Sequence, residues 1–303
     1  MAKDKKICSV LTLPLVTEPW QKDALDLKME CVRKVYNSML RDMLKKYHEM
    51  IKTKEWRQLN DTIRMELQKN DDGKKKKSPI LQSVYDRKNQ ILRDNGFSEF
   101  GFISTVAQYN KYYQKHVSSS IAARCVATPM WRAFEKLLFG NGEKVSFKSF
   151  GSVTSIASEG RTGIRFVEEA DGYYVVFSNR VAKARVVKLK VKGPETVYDK
   201  EMLNAKIKMV RVIRKLQKGR REYYCQLTLE CPPYLKKNAD GGLVHPVGIG
   251  KVGICVWRNT LCAVSNSKVV KYNLVPNGDD FVLQRSELSK KMEEIHRRDN
   301  PDN

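Results

Sequence analysis

The chain has 303 residues, and its 57 Lys and Arg against 34 Asp and Glu leave a formal net charge of +23. Hydrophobic residues make up 41% of it, which excludes a basic disordered tail, and the length suffices for two or three domains. No apolar run reaches the ~18 residues of a spanning helix, and the start Met1-Ala2-Lys3-Asp4-Lys5-Lys6 lacks a signal peptide's apolar core, so a soluble cytoplasmic protein without membrane partners is expected.

Residues 7 to 16 read as a strand, with Pro14 marking an edge or an exit. Thr17-Glu18-Pro19 starts a helix whose apolar positions from Leu25 repeat with helical period to about Thr53. Leu59, Ile63 and Leu67 place a second helix over 56–69, and Asn70 to Lys77 is a polar loop. Ser78-Pro79 opens a third helix, which Asn95-Gly96 ends. Two more are expected over 102–116 and 118–139, the latter kinked or interrupted near Ala127 by Pro129. Past Gly140-Asn141-Gly142 the period shortens, and strands are expected at 145–150, 162–167, 173–178 and 184–191. A hairpin follows, with strands 206–216 and 221–230 and a turn at Gln217-Lys218-Gly219-Arg220; its alternation slips near Met209-Val210, the mark of a bulge. After a polar linker over 236–245 come strands at 252–257 and 260–265 with a turn at Arg258-Asn259, a third strand near 268–273, and a helix over 279–298. That helix carries Phe281, Leu288, Met292 and Ile295 on one stripe.

Seven cysteines form no Cys-x-x-Cys pair, and the gaps 225 to 231 and 255 to 262 do not fit a zinc ribbon, so free and mostly buried thiols are expected. The four histidines are scattered singly and offer neither a metal site nor a paired base. Trp20 and Trp56 read as helix-packing anchors.

A fold this basic keeps its surplus near a polyanion or tolerates self-repulsion; nucleic acid is favoured, with anionic membrane as the competitor. The hairpin concentrates the charge. Lys206, Lys208, Arg211, Arg214, Lys215, Lys218, Arg220 and Arg221 put eight cations into sixteen residues with no acid between them. That density, with Tyr223 and Tyr224 following, suits phosphate contacts and base stacking better than a solvated sheet face. The run Lys74, Lys75, Lys76, Lys77 reads either as a solvated loop or as a contact along an RNA backbone.

The stretch Val252-Gly253-Ile254-Cys255 resembles the first motif of a RuvC-type nuclease, where the strand presents a metal-binding Asp. Four further stretches agree in order and spacing: 118–140 (SSSIAARCVATPMWRAFEKLLFG), 145–150 with 162–166 (VSFKSF and TGIRF), 207–230 and 297–303 (RRDNPDN). Together they resemble the TnpB proteins of bacterial insertion sequences, compact RNA-guided nucleases related to type V CRISPR effectors. The resemblance implies an α+β chain. An oligonucleotide-binding-type β-barrel, the WED domain (1–16 and 141–238), is interrupted by a helical recognition insert (17–140) and followed by an incomplete RNase-H-like RuvC segment with a bridging helix (239–303). It implies guide RNA and target DNA duplex as partners and brings Ser119 and Arg124 toward DNA.

The resemblance places a thiol, Cys255, at the first catalytic position, where two-metal cleavage needs hard carboxylate oxygens around Mg²⁺. The second and third acids and the family's zinc knuckle would lie beyond Asn303. No catalytic residue, metal site or cofactor therefore carries over, and a cleavage-dead, truncated, guide-directed repressor or roadblock is expected, nucleoid-associated when bound to DNA. The rival expectation is the N-terminal part of a split or decaying transposon-encoded endonuclease completed by a separately encoded C-terminal half.

Overall fold

The computed structural model describes residues 7–69, 79–140, 142–159, 163–178, 186–232, 238, 242, 251–257, 260–266, 268–274 and 278–299. It divides into two units, Met1–Tyr234 and Leu235–Asn303. No helix among the described residues is long and apolar enough to cross a membrane.

The first unit opens with β1 (Ser9–Val16), where Leu11, Leu13 and Leu15 are buried and the residues between them exposed. Helix α1 (Pro19–Lys52) then starts on a proline at its first position, and the Gln21 side chain accepts from the Glu18 N–H at 2.9 Å. Its buried stripe runs Leu25, Met29, Val32, Val35, Tyr36, Met39, Leu40 and Met43. Helices α2 (Lys54–Lys69), α3 (Pro79–Asp94) and α4 (Glu99–Asn110) follow. Gly96, at φ 78°, turns the chain out of α3, while the Phe97 N–H donates to the Leu92 carbonyl at 2.7 Å. The aromatic rings of Tyr47, Phe97, Phe102 and Phe134 then pack with centroids 5.5 to 6.4 Å apart.

The expected interruption at Pro129 takes the form of a π-turn. Helix α5 (Ser119–Ala122) passes through Ala123–Ala127 in π geometry into α6 (Thr128–Phe139). Proline has no N–H and its ring crowds the carbonyl four residues back, so the helix widens by a residue, and the Thr128 N–H reaches the Ala123 carbonyl.

Seven strands form one antiparallel sheet. They are β1 and, in chain order, β2 (Ser155–Glu159), β3 (Ile164–Glu169), β4 (Gly172–Phe177), β5 (Val187–Val191), β6 (Ile207–Gln217) and β7 (Arg220–Leu229). Their order is β2-β6-β7-β1-β5-β4-β3, with a short helix α7 (Val197–Leu203) between β5 and β6. The sheet curls until its end strands meet through a side chain. On β2 the buried Ser158 hydroxyl accepts from the Ile164 N–H at 2.7 Å and lies 3.3 Å from the Ile164 carbonyl of β3. The outer edge of β2 is satisfied by a thiol: Cys125 Sγ accepts from the Ala157 N–H at 3.1 Å and donates to its carbonyl at 3.4 Å.

Of the two readings of Pro14, an edge or an exit, the exit holds: β1 is central, Pro14 sits where the strand leaves β7 for β5, and its carbonyl accepts from Lys192 N–H at 2.8 Å. Two expectations need correction. Residues 145–150 are not a strand, because the backbone of Lys148 is bonded on both sides by the Asn37 side chain of α1, at 2.9 Å each. Strand β2 takes the sheet position instead. Trp56 is buried as expected, whereas Trp20 lies at the surface against the Glu18 carboxylate. The bulge is present, at the register shift between Ile207 and Met209.

One carboxylate ties α1 to the hairpin. Asp26 Oδ1 accepts from Arg214 Nη1 and from the Tyr223 hydroxyl, both at 2.7 Å, and Asp26 Oδ2 accepts from Arg221 Nη1. Burial alone would raise the Asp26 pKa, but the hydrogen bonds from Tyr223, Arg214 and Arg221 outweigh it and hold the group below its ordinary value.

The second unit holds a three-stranded antiparallel sheet, β8 (Val252–Trp257), β9 (Thr260–Ser265) and β10 (Val269–Asn273), in the order β10-β9-β8, and a helix α8 (Gly278–Asp299). Cys255 on β8 faces Cys262 on β9 across the ladder. Cys255 is exposed and Cys262 half-buried, so neither is among the buried thiols that were expected to predominate. The Arg258-Asn259 turn, the 236–245 linker apart from Asn238 and Gly242, and the side chain of Phe281 lie outside the described residues.

Asp26→Asn should lower unfolding free energy by roughly 2–3 kcal/mol at neutral pH, because it leaves two guanidiniums short of a charge-assisted acceptor. A folded-state pKa below the unfolded one gives stability that is complete above about pH 4 and lost as pH falls through the depressed value. Urea unfolding of both proteins across pH 2–7 reads this, and the gap between them should close at the acid end. Gly163→Ala should destabilise independently by about 1–3 kcal/mol. At φ 81° a Cβ there would stand 2.4 Å from Ser120 Oγ and 2.7 Å from Ser118 Oγ. A variant with an unchanged melting temperature would contradict that contact.

Candidate nucleic-acid interface

The hairpin turns on two residues, Lys218 at φ 47° and Gly219 at φ 75°, the paired left-handed geometry that suits the twist of β6 and β7. Because side chains alternate across a strand, the pleat sorts the eight cations. Arg214 lies opposite Tyr223 on the inward face with Val210, Val212, Cys225 and Leu227. Arg214 and Arg221 therefore serve the fold: both bind Asp26, and Arg214 Nη2 also donates to the Gly151 carbonyl at 2.8 Å. Tyr223 is buried, and its hydroxyl is committed to Asp26, so it is core and not a base platform.

The other face carries Arg211, Lys215 and Arg220 with Tyr224. Lys215 Nζ stands 4.7 Å from the centre of the Tyr224 ring, whose hydroxyl donates to Glu222 at 2.8 Å and accepts from Gln217 at 3.1 Å. One face of that ring is thus already occupied by a cation of its own hairpin. Lys218 and Arg220 are exposed at the tip. Toward the strand ends, Lys206 lies 3.8 Å from Glu230, and Lys208 Nζ donates to Cys8 Sγ at 3.3 Å. The cations foreseen as one patch are therefore two sets, one built into the fold and one facing outward.

Arg211 joins a second group. With Arg124 of the π-turn and Lys148 of the loop between α6 and β2, it lines a cavity of about 230 Å³ at the outer edge of β2. The sequence reading named Arg124 and Arg211 but not their meeting, and it missed Lys148. The loop is fixed at that point. Besides the two Asn37 bonds, Arg33 Nη1 donates to the Lys148 carbonyl at 3.2 Å, and the Lys148 ammonium stands 4.3 Å over the Tyr36 ring. Burial lowers the pKa of Lys148 and raises that of the Cys125 thiol beside it. A faint signal did exist: Arg33 and Asn37 stand four apart on α1, the spacing of one helix face.

Ser119 is exposed at the first position of α5, whereas Ser118 caps the helix by accepting from the Ile121 N–H. Lys74 to Lys77 lie outside the described residues. A buried cation was also missed: Lys28 donates to the His116 carbonyl at 3.0 Å, with the Phe177 ring 5.4 Å away.

No protein-family model and no curated protein matches the chain. Among solved structures it is similar to a cryo-EM structure of a Cas12f1–sgRNA–target DNA complex, with 14% identity, a TM-score of 0.34, and 96% of this chain and 71% of that chain covered. It is also similar to a cryo-EM structure of a CRISPR-Cas12f ternary complex, with 12% identity, a TM-score of 0.29, and 97% of this chain and 70% of that chain covered. Likeness at these TM-scores is too loose to assign a residue or an activity to this chain.

Proposed function

We propose that this protein binds polynucleotides, holding a structured guide RNA and through it a target DNA duplex, and that it does not cut them. The observation that carries the reading is the sorting within the hairpin. Asp26 and Asp23 of α1 pair with the inward arginines, while Arg211, Lys215, Lys218 and Arg220 have no carboxylate partner among the described residues. Such a face neutralises phosphates without reading bases, so binding rests on charge and on the shape of an A-form helix, and target choice falls to base pairing. In this reading the curled sheet is the WED barrel, helices α1 to α6 are the recognition insert, and β8 to β10 begin a RuvC fold. Cys255 stands at the position of the first catalytic acid. A thiol is a poor ligand for Mg²⁺, and the role left is that of a guide-directed roadblock or repressor.

A second reading has one observation in its favour. Val252, Ile254 and Val256 of β8 and Leu288, Met292 and Ile295 of α8 are each more than half exposed, rows that a separately encoded nuclease half would cover.

Three measurements test the proposal. RNA recovered after gentle purification should be one defined structured species. Replacing Lys215, Lys218 and Arg220 together by Gln should flatten the dependence of log K on log salt by about 2–3 for a DNA duplex. An unchanged slope would remove the hairpin from the interface. With a reconstituted guide and Mg²⁺ no cleavage should appear, and Cys255→Asp alone should restore none, because one carboxylate does not assemble a two-metal site. Robust cutting by the parent chain would overturn the non-cutting reading.

A further inference from the structure

We propose that the cavity between the π-turn and the outer edge of β2 is a seat for a single backbone phosphate, separate from the outward hairpin face. The inference rests on the polynucleotide reading and adds to it a fixed point of register. Three cations converge on the cavity from three parts of the fold: Arg124 from the π-turn, Lys148 from the 142–154 loop and Arg211 from β6. No carboxylate lines the cavity, and none forms an ion pair with these three among the described residues. The remaining polar lining includes the hydroxyl-bearing Thr154 and Ser155, and such a hydroxyl can donate to an anion's oxygen.

Three observations separate this from a solvated basic surface. The cavity is concave, and its volume of about 230 Å³ has room for a phosphodiester with part of its sugar. One of its ammoniums is half-buried: Lys148 lies over the Tyr36 ring, its charge is disfavoured by burial, and a phosphate oxygen would restore what water no longer supplies. The site is also built before any ligand arrives. Asn37 grips the Lys148 backbone through both its N–H and its carbonyl, Arg33 adds a third bond, and Arg33 is itself held by Glu30 at 2.6 Å. An ordered cation costs little further entropy on binding, which is what separates a seat from a flexible lysine. The π-turn contributes in the same way. By widening the helix at Pro129 it sets Arg124 and Cys125 beside β2, and the Cys125 thiol then fastens the turn to Ala157. Asn37 is a positioning residue here, since it acts only through Lys148.

The ligand chemistry is a phosphodiester anion, which an RNA or a DNA strand can bring. The test uses the full chain with inorganic phosphate as one probe and with RNA and DNA duplexes of the same sequence as two others. Lys148→Met with Arg211→Gln removes two of the cations, and Lys290→Gln with Lys291→Gln, both exposed on α8, is the control of equal charge change. At constant ionic strength phosphate should raise the melting temperature of the parent and of the control, and not of the cavity variant. The cavity variant should lose on the order of tenfold in duplex affinity, with a salt slope shallower by about 1, and the control should not. The duplex with the larger change in slope identifies the strand that fills the seat. A folded cavity variant that keeps the parent's phosphate response and slope overturns the seat while leaving the hairpin reading intact. A parent that responds to phosphate and binds neither duplex overturns the assignment to a polynucleotide. Should the double variant fail to fold, Arg124→Gln leaves the Lys148 ammonium in place and must still flatten the slope. Asn37→Ala should mimic the loss of Lys148 in slope, and Asn37→Gln should not repair it, because the longer amide misses the Lys148 backbone.

Discussion

The carboxylate of Asp26 accepts from three groups of the hairpin, two of them guanidiniums, and the arrangement of the first unit follows from that contact. A sheet whose longest hairpin carries eight cations and no acid between positions 206 and 221 would repel itself if all of them faced one way. The pleat turns Arg214 and Arg221 inward, where Asp26 of α1 accepts from both and Asp23 of α1 lies 3.6 Å from Arg221. Tyr223 completes the acceptor's shell; its burial, and then its bond to Asp26, push its pKa up, so it stays a donor beyond the ordinary tyrosine range. Helix α1 is thereby pinned across the hairpin at one end. Further along, Lys28 reaches the His116 carbonyl, and Arg33 and Asn37 hold the backbone of Lys148. Sheet, loop and helices are indexed to a single helix by side chains that an apolar stripe alone would not supply.

What could be read from the sequence follows from the range of the interactions involved. Helices α1, α3 and α6 and the hairpin were legible because period, caps and turn residues are local: Pro19 and Gly96 mark ends that the structure keeps, and the slip near Met209 became the bulge between Ile207 and Met209. Strand β2 was missed because Ser155-Ile156-Ala157-Ser158-Glu159 has little β-branched or aromatic character. It is held by β6 on one side and, on the other, by a cysteine thirty-two residues earlier in the chain. The segment 145–150 alternates like a strand, yet its backbone is claimed by Asn37 from a distance of more than a hundred residues. Alternation here reported neither the backbone's partners nor burial, since Phe147 and Phe150 are both exposed. The same gap hid the candidate phosphate seat: Arg124 and Arg211 stood out by type, but only the fold brings Lys148 between them.

The second unit poses a different problem. A three-stranded sheet and one helix bury little surface, and here Ile254 at 68% and Leu288 at 62% exposure leave apolar rows open. On β8 both the apolar face and the thiol face are exposed, and its outer edge has no partner strand among the described residues. Such an edge offers its backbone groups to a further strand. The pairing of Cys255 with Cys262 across β8 and β9 also puts a second sulfur, not a carboxylate, directly opposite the position where the resemblance expects an acid. Two soft groups face to face suit a hard divalent cation even less than one.

The hairpin tip and the cavity differ in what each can contribute to recognition. Lys218 and Arg220 extend from a two-residue turn into solvent, so their attraction is screened over about 10 Å at ordinary salt and fixes no geometry. Charges of that kind raise the rate of encounter and tolerate any register. Lys148 is restrained at its backbone by two side chains of α1 and at its ammonium by an aromatic face, and Arg211 comes from the middle of a paired strand. A phosphate held there is held in one place. Because α1 carries both the Asp26 tie and the Asn37 grip, the hairpin and the cavity stand at a set spacing along one rigid element. A strand reaching from one to the other must match that spacing. Under the proposed reading, selection among polynucleotides would follow from backbone geometry, which differs between A-form and B-form helices, with no base contacted.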